Sequence, residues 1–131
     1  MSVEIQALID AAREARSHAY APYSKFLVGA ALRTVGGQVF TGCNVENAAY
    51  GLCNCAERTA FFTAIAAGCR PGNFSHVAVI ADSDEPVAPC GACRQVMMEL
   101  GGPMLHVIQA NLRGEVRQTT MGELLPDAFR L

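Results

Sequence analysis

Residues 76–100 read HVAVIADSDEPVAPCGACRQVMMEL, and the pattern of this segment indicates the fold class. It begins with a nearly continuous apolar run, which is typical of a strand buried on both faces of a sheet. A polar loop follows from Asp82 to Pro89, and a helical pattern then runs from about Gly91 to Leu100. The next apolar run, from Met104 to Ile108, predicts a second strand. Such a strand–helix–strand unit implies a right-handed crossover and parallel pairing.

The segments on either side complete the predicted sheet. Strand-like patterns cover Phe26 to Leu32 and Gln38 to Thr41, and the Gly36-Gly37 pair between them favours a hairpin. A last short strand is expected near Glu115 to Arg117. We therefore predict an α/β fold with three α-β-α layers around a mixed sheet of about five strands.

Three further helices are predicted around this sheet. Residues 3–18 form an amphipathic pattern with Ser2 as a plausible N-cap, and residues 54–67 form a second helix that ends at Gly68. Thr120 caps a short final helix that ends before Pro126. The polar segment from Gly42 to Tyr50 has no clear period, so it is expected to be a loop.

Composition limits the classes of function. A length of 131 residues is typical of one domain, and 51% hydrophobic residues are enough to form a core. The net charge of −2 gives no sign of a basic face, so small-molecule partners fit better than nucleic acid. No run approaches the roughly 20 apolar residues that cross a membrane, and no secretory signal is visible. We expect a cytosolic protein whose six cysteines are reduced, metal-bound or inert.

Two cysteine motifs carry the chemistry. Cys55-Ala56-Glu57-Arg58 supplies a thiol with a carboxylate two residues later, and Pro89-Cys90-Gly91-Ala92-Cys93 supplies two more thiols. Both motifs lie at predicted helix starts, where partial positive charge stabilises thiolates. Three thiolates on a tetrahedral zinc leave one position open for water, which is typical of catalytic sites. Glu57 is then placed to move the protons of that water.

Other interpretations of these cysteines remain open at this point. A structural zinc would need a fourth ligand, and the remaining cysteines are candidates, although Cys53 points away from a helix that begins at Cys55. The thiols could also be free and buried. No histidine stands in a plausible ligand position, because His76 and His106 belong to strand-like runs and are expected to be structural. The other cysteines are Cys43 and Cys69.

The two charged residues after Cys55 also have simpler interpretations. Glu57 alone would be a first-turn glutamate that stabilises its helix. Arg58 follows Cys55 by three residues and so lies on the same side of the helix. We expect it to donate to the ligand sulfurs and to offset the net negative charge of three thiolates on zinc. The alternative is a surface arginine.

These motifs match the signature of zinc nucleobase deaminases, in which the glutamate is the general acid and base. More widely, the sequence resembles the small, homotetrameric cytidine deaminases of pyrimidine salvage. The resemblance runs through almost the whole chain, from the N-terminal half to a segment near Leu131. The matching stretches are residues 21–26 (APYSKF), 42–48 (GCNVENA), 55–60 (CAERTA), 89–96 (PCGACRQV) and 124–129 (LLPDAF).

The resemblance implies roles that the residue pattern does not show. It implies one zinc per subunit, and Phe26 would stack on the pyrimidine ring. Asn44 and Glu46 would bind the ribose hydroxyls, and the N–H of Ala56 would hold the ring carbonyl. A further set would reach into a neighbouring subunit's site, namely Ala48, Tyr50 and Phe129.

From the residues alone, these positions have ordinary explanations. Phe26 would be a core strand residue, Asn44 and Glu46 would be loop polars, and Phe129 would dock the C-terminal tail. Members of the family usually continue past this phenylalanine with a short acidic tail, whereas the sequence here runs only to Leu131.

The expected activity is hydrolytic deamination of cytidine and 2'-deoxycytidine to uridine and 2'-deoxyuridine. Glu57 would take a proton from water, pass it to N3 of the base and then to the departing amine. Two alternatives are kept. One is a zinc deaminase for another substrate, such as a nucleoside antibiotic or a base in RNA, and the other is a zinc-stabilised binding protein without catalysis.

Overall fold

A computed structural model describes all 131 residues and shows one mixed sheet with helices on both faces. The five strands follow the order β2-β1-β3-β4-β5, and only β3 and β4 pair in parallel. The strands are β1 (Val28–Thr34), β2 (Val39–Cys43), β3 (Phe74–Ala81), β4 (His106–Asn111) and β5 (Val116–Thr120). The helices are α1 (Val3–Arg16), α2 (Ala56–Ala66), α3 (Gly91–Gly101) and α4 (Met121–Leu124), with a 3-10 turn at Tyr50–Leu52. The predicted fold class is confirmed, including the hairpin of β1 and β2 and the parallel pair joined by α3.

The two faces of the sheet bury separate apolar clusters. One face packs against α1, whose Leu8, Ile9 and Ala12 lie against side chains of β1, β3 and β4. The other face packs against α2, α3 and α4, with Phe61 and Met97 at its centre. Because α2 and α3 share the second face, their first turns are brought together at one edge of the same core.

Local signals that set the helix ends act as predicted. The hydroxyl of Ser2 accepts a hydrogen bond from the Ile5 N–H at 3.2 Å, and that of Thr120 accepts from the Glu123 N–H at 3.4 Å. Gly42 allows α2 to pack closely against the hairpin, because a Cβ at this position would lie only 2.5 Å from the Ala60 nitrogen. The absence of a side chain at Gly42 therefore lets β2 and α2 approach closely.

Several predicted boundaries are wrong by a few residues. The strand expected from Phe26 begins at Val28, because the preceding residues form a turn in which Lys25 has a φ of 60°. The strand expected from Met104 begins at His106, since Gly102, with a φ of 81°, and Pro103 delay its start. The other differences are small: α1 ends at Arg16, α2 begins at Ala56, and β5 covers Val116–Thr120. None of the helices is long and apolar enough to span a bilayer.

Candidate active site

Three thiols meet where α2 and α3 begin. Cys55 is the residue that precedes α2, Cys90 precedes α3, and Cys93 lies in the first turn of α3. Their sulfur atoms all lie within 4.8 Å of one another, and the Sγ atoms of Cys55 and Cys90 are 3.7 Å apart. The structure thus brings together the three cysteines that the motifs single out.

The geometry of these thiols fits a zinc ion. With zinc–sulfur bonds of about 2.3 Å, two ligands of a tetrahedral site lie about 3.8 Å apart, close to the observed 3.7 Å between the Cys55 and Cys90 sulfurs. Thiolates are also among the ligands that zinc favours. No other cysteine, histidine or carboxylate joins the cluster. The donor set therefore has three members and leaves one tetrahedral position for a ligand that is not protein.

Two of the clustered thiols shift each other's pKa in opposite directions. Hydrogen bonds from Cys93 and Arg58 lower the pKa of Cys55 to about 5, against the opposing effect of burial. The same bond to Cys55, together with burial, raises the pKa of Cys93. Cys55 is therefore the more acidic of the two thiols. A divalent cation bound by the sulfurs would displace their protons, as metal binding to cysteines generally does.

Arg58 reaches the cluster from the first turn of α2. Its Nη2 donates to the Cys55 sulfur at 3.4 Å, and this bond raises the pKa of the guanidinium. Its Nε is buried and has no hydrogen-bond partner. The side chain therefore faces the thiols, as the spacing predicts, and is not a solvated surface arginine.

Glu57 is the buried carboxyl group beside these thiols. It is 4% exposed, and burial raises its pKa to about 7, with a smaller contribution from the negative charge of Cys55. Carboxyl groups that exchange protons in catalysis are commonly held near neutrality in this way. A first-turn glutamate that served only its helix would have no need of burial, which costs free energy for a charged group.

A cavity of about 260 Å³ opens beside Glu57. On one side it is lined by Cys55, Ala56 and Cys90, and on the other by predicted substrate contacts. Those contacts are Phe26, Asn44 and Glu46. Two distant loops and two helix starts therefore converge on one volume, and the buried carboxyl group lies in its wall.

Asn44 and Glu46 also hold the backbone of the cavity wall. Asn44 donates through Nδ2 to the Phe26 carbonyl at 2.8 Å and accepts through Oδ1 from the Val28 N–H at 2.8 Å. Glu46 accepts from the N–H groups of Tyr23 and Ser24 at 3.0 and 3.1 Å. These bonds, above all those from Ser24, lower the pKa of Glu46, so its carboxylate is charged at neutral pH.

The structure leaves three predicted residues outside this cavity. Tyr50 is largely exposed, and its ring centroid lies 6.2 Å from that of Tyr23. Phe129 is also exposed, and only its carbonyl is held, by Gln95 Nε2 at 3.4 Å. Its ring does not dock the tail onto the core. Ala48 lies exposed in the same loop as Glu46.

Sequence reasoning missed several cavity residues. Ser24 lies within the matched stretch at residues 21–26, but no role was attached to it. Val87 and Ala88 line the cavity just before the Pro89 motif, and their position there was the available signal. Val28 and Val79 had none, because they look like any strand valine. Together, fold and site define an α/β protein in which three clustered cysteines that could hold a metal ion and a buried carboxyl group lie at a cavity of about 260 Å³.

Comparison with known proteins gives this class a family. The model of the cytidine and deoxycytidylate deaminase zinc-binding region matches residues 2–109. The chain belongs to this deaminase family. It is 50% identical to the cytidine deaminase of Sporosarcina psychrophila, with 97% of this chain and 92% of that protein covered.

Solved structures give the same result. The crystal structure of cytidine deaminase from Burkholderia pseudomallei is 64% identical, with a TM-score of 0.95 over 98% of this chain and 100% of that one. That of cytidine deaminase from Mycobacterium tuberculosis is 39% identical, with a TM-score of 0.85 over 99% of this chain and 100% of that one. The resemblance noted from the motifs is therefore confirmed at the level of the family and the fold.

Proposed function

We propose that this protein catalyses the zinc-dependent hydrolytic deamination of cytidine and 2'-deoxycytidine to uridine and 2'-deoxyuridine, in pyrimidine salvage. The observation that carries the proposal is the buried Glu57 in the wall of a cavity that Cys55 and Cys90 also line. All 131 residues would form a single catalytic domain. Its small-molecule substrate accords with the acidic isoelectric point of about 5.9, which does not suit nucleic acid.

The zinc would be held by Cys55, Cys90 and Cys93. When bound, zinc lowers the pKa of a water molecule so that a nucleophile is available near neutral pH. Arg58, which donates to the Cys55 sulfur, would offset part of the negative charge of three thiolates. That compensation would help a bound zinc to remain acidic enough to act on water.

Glu57 would carry the protons. Its carboxylate accepts one proton from the attacking water and delivers it to N3 of the cytosine ring. The oxygen of that water adds at C4 as a hydroxyl group. Glu57 then transfers the proton of this hydroxyl to the amine, which leaves as ammonia. Water and cytidine thus yield uridine and ammonia. A pKa near 7 suits a group that must both accept and donate.

The substrate would lie between the two sides of the cavity. Phe26, which lines the cavity, would stack on the base. The N–H of Ala56, free at the start of α2, would hold the ring carbonyl. Asn44 and Glu46 would bind the ribose hydroxyls with the acceptor capacity that their internal hydrogen bonds leave. Since a carboxylate has about four lone-pair sites, Glu46 retains room for a hydroxyl.

We also propose that the protein is a homotetramer with one zinc per subunit and with its sites at subunit interfaces. Ala48, Tyr50 and Phe129 would complete the site of a neighbouring subunit. The exposed rings of Tyr50 and Phe129 support this, because large apolar groups left at the surface favour contacts between chains. Light scattering at micromolar concentration tests the proposal: a mass of four chains is expected, and a monomer that is fully active would contradict it.

A substrate panel tests the activity itself. Purified zinc-loaded protein is mixed with cytidine, deoxycytidine, cytosine or CMP, and the fall in ultraviolet absorbance is followed. We expect both nucleosides to react and free cytosine, which lacks the sugar, to react far more slowly. If zinc is bound and none of the four compounds is deaminated, a binding protein without catalysis is favoured. A preference for CMP would overturn the assignment of nucleosides as substrates.

A further inference from the structure

We propose that Ser24 is a positioning residue that sets the spacing between the base-binding and the sugar-binding side of the cavity. The inference rests on the proposed function, because it concerns how Phe26 and Glu46 meet the nucleoside. Ser24 itself lines the cavity together with both of these residues. The motif at residues 21–26 thereby acquires a role beyond supplying the phenylalanine.

One hydroxyl group joins the two substrate contacts. The Ser24 Oγ donates to Glu46 Oε2 and accepts from the Phe26 N–H at 3.0 Å. The direction is fixed, because an N–H can only donate and an ionised carboxylate can only accept. The result is a polarised chain from Phe26 through Ser24 to Glu46, and hydrogen bonds to a charged acceptor are the strong kind.

The hydrogen bonds of the Ser24 hydroxyl also stabilise the turn that carries Phe26. Lys25, between Ser24 and Phe26, has a φ of 60°, which is unfavourable for a residue with a Cβ. The conformation is held by the bond from the Lys25 N–H to the Ala21 carbonyl at 3.0 Å and by the Ser24 hydroxyl, which bridges across Lys25. Without the hydroxyl, the backbone gains freedom to leave this strained region.

Phe26 depends on its backbone for its position. Its side chain is 41% exposed, so core packing does not fix the ring. Its N–H is held by Ser24, and its carbonyl is held by Asn44 Nδ2 at 2.8 Å. Losing the Ser24 hydroxyl would free one side of Phe26 and remove one of the three hydrogen bonds that Glu46 receives.

The test compares Ser24→Ala with Ser24→Thr, which keeps a hydroxyl. Ser17→Ala is the matched control, because Ser17 is an exposed serine whose hydroxyl bonds only the Glu14 carbonyl. We expect Ser24→Ala to raise KM for cytidine about tenfold, the usual effect of losing one hydrogen bond to a charged group. We expect kcat to change by less than about twofold, because the proton-transferring groups are untouched. KM of Ser24→Thr should be close to that of the wild type, because threonine keeps the hydroxyl group. Zinc content should be the same in all variants.

A second set of variants isolates the link to Glu46. In the background of Glu46→Gln, the additional effect of Ser24→Ala on KM should shrink, because the two residues act through one chain of hydrogen bonds. Independent effects of the two changes would overturn the proposal. So would an unchanged KM in Ser24→Ala, an equal loss in Ser24→Thr, or a fall in kcat that matches the rise in KM.

A binding measurement separates this inference from the proposed activity. The Kd of uridine for the zinc-loaded protein is measured by calorimetry for the wild type, Ser24→Ala and Ser17→Ala. If the wild type fails to convert cytidine, the proposed function fails, yet a Kd about tenfold weaker in Ser24→Ala alone would still support the positioning role. Equal Kd values in the three proteins, or no binding of uridine by the wild type, would overturn it.

Discussion

The cavity has two walls that are built differently. In the helix-start wall, Cys55, Glu57 and Cys90 occupy the first turns of α2 and α3 or the residues just before them. In the turn-and-loop wall, Phe26 and Glu46 lie on irregular backbone outside the strands and helices. The first wall takes its geometry from two helices packed on one core, whereas the second takes its geometry from hydrogen bonds between its own side chains and backbone.

This difference separates two tasks. Proton transfer and metal binding need groups held within a fraction of an ångström, and packed helix starts provide this. Substrate selection needs polar groups that water can reach before the substrate arrives, and loops provide these. We therefore expect changes in the helix-start wall to act on kcat or on zinc binding, and changes in the turn-and-loop wall to act on KM.

The largest effect is expected from Glu57→Gln, which keeps the size of the side chain but removes its capacity to carry protons. We expect kcat for cytidine to fall by about 10³-fold, a typical loss for a general acid and base. Zinc content should remain unchanged. Glu4→Gln is the matched control, because Glu4 occupies the first turn of α1 as Glu57 occupies that of α2. A variant at residue 57 with near-normal turnover would refute the role.

Phe26→Ala tests the opposite wall. Stacking of a base on an aromatic ring is worth roughly 1–3 kcal/mol, so KM for cytidine should rise by about tenfold or more while kcat changes far less. Phe62→Ala serves as control, since Phe62 is 48% exposed, against 41% for Phe26, and lies outside the cavity. A fall in kcat as large as that for Glu57→Gln would remove the distinction between the walls.

Arg58→Ala probes the charge balance of the proposed zinc site. Losing the donor to the Cys55 sulfur should weaken zinc binding by about tenfold, the lower range for groups that support a metal ligand. Competition with a chromophoric chelator measures the affinity. Arg113→Ala is the control, because that arginine forms an exposed ion pair with Asp84. Zinc affinity and turnover that both stay unchanged in Arg58→Ala would contradict the assignment.

The smallest effect concerns a region outside both walls. His76 on β3 stacks on His106 on β4, and burial, His106 and Arg33 lower the pKa of His76 from its ordinary value of 6.5. The unfolded chain therefore binds a proton at this residue more readily, so the folded state loses stability as pH falls below about 6.5. When the pH is lowered from 7.5 into the acid range, the free energy of unfolding should fall less for His76→Asn than for the wild type. Urea unfolding at fixed protein concentration measures it. Equal losses in the two proteins would contradict this.

Residues with strong local signals were predictable from the sequence. Cys55, Cys90 and Cys93 combine a recognisable spacing with helix starts, and Ser2 and Thr120 cap their helices as expected. Phe26 lies outside the strand that the sequence predicts for it. An aromatic residue before an apolar run is typical of a strand, and the positive φ of Lys25 cannot be recognised from the sequence.

The rest of the site depends on contacts that are distant in sequence. Ser24 and Glu46 are 22 residues apart, and no pattern in either segment predicts the hydrogen bonds between them. Val79 and Val87 line the cavity because β3 and the loop before α3 end beside it, which follows only from the assembled sheet. The turn-and-loop wall was therefore accessible through the family resemblance and not through local pattern.

We expect a single zinc at Cys55, Cys90 and Cys93 to enable cytidine deamination, and a zinc titration measures this dependence. The protein is stripped with a chelator, reloaded stepwise, and assayed at each step for bound zinc and for the rate of ammonia release from cytidine. The rate should rise in proportion to bound zinc and reach its plateau at one ion per chain. Zinc-free protein that converts cytidine at the full rate, or fully loaded protein that releases no ammonia, would contradict it.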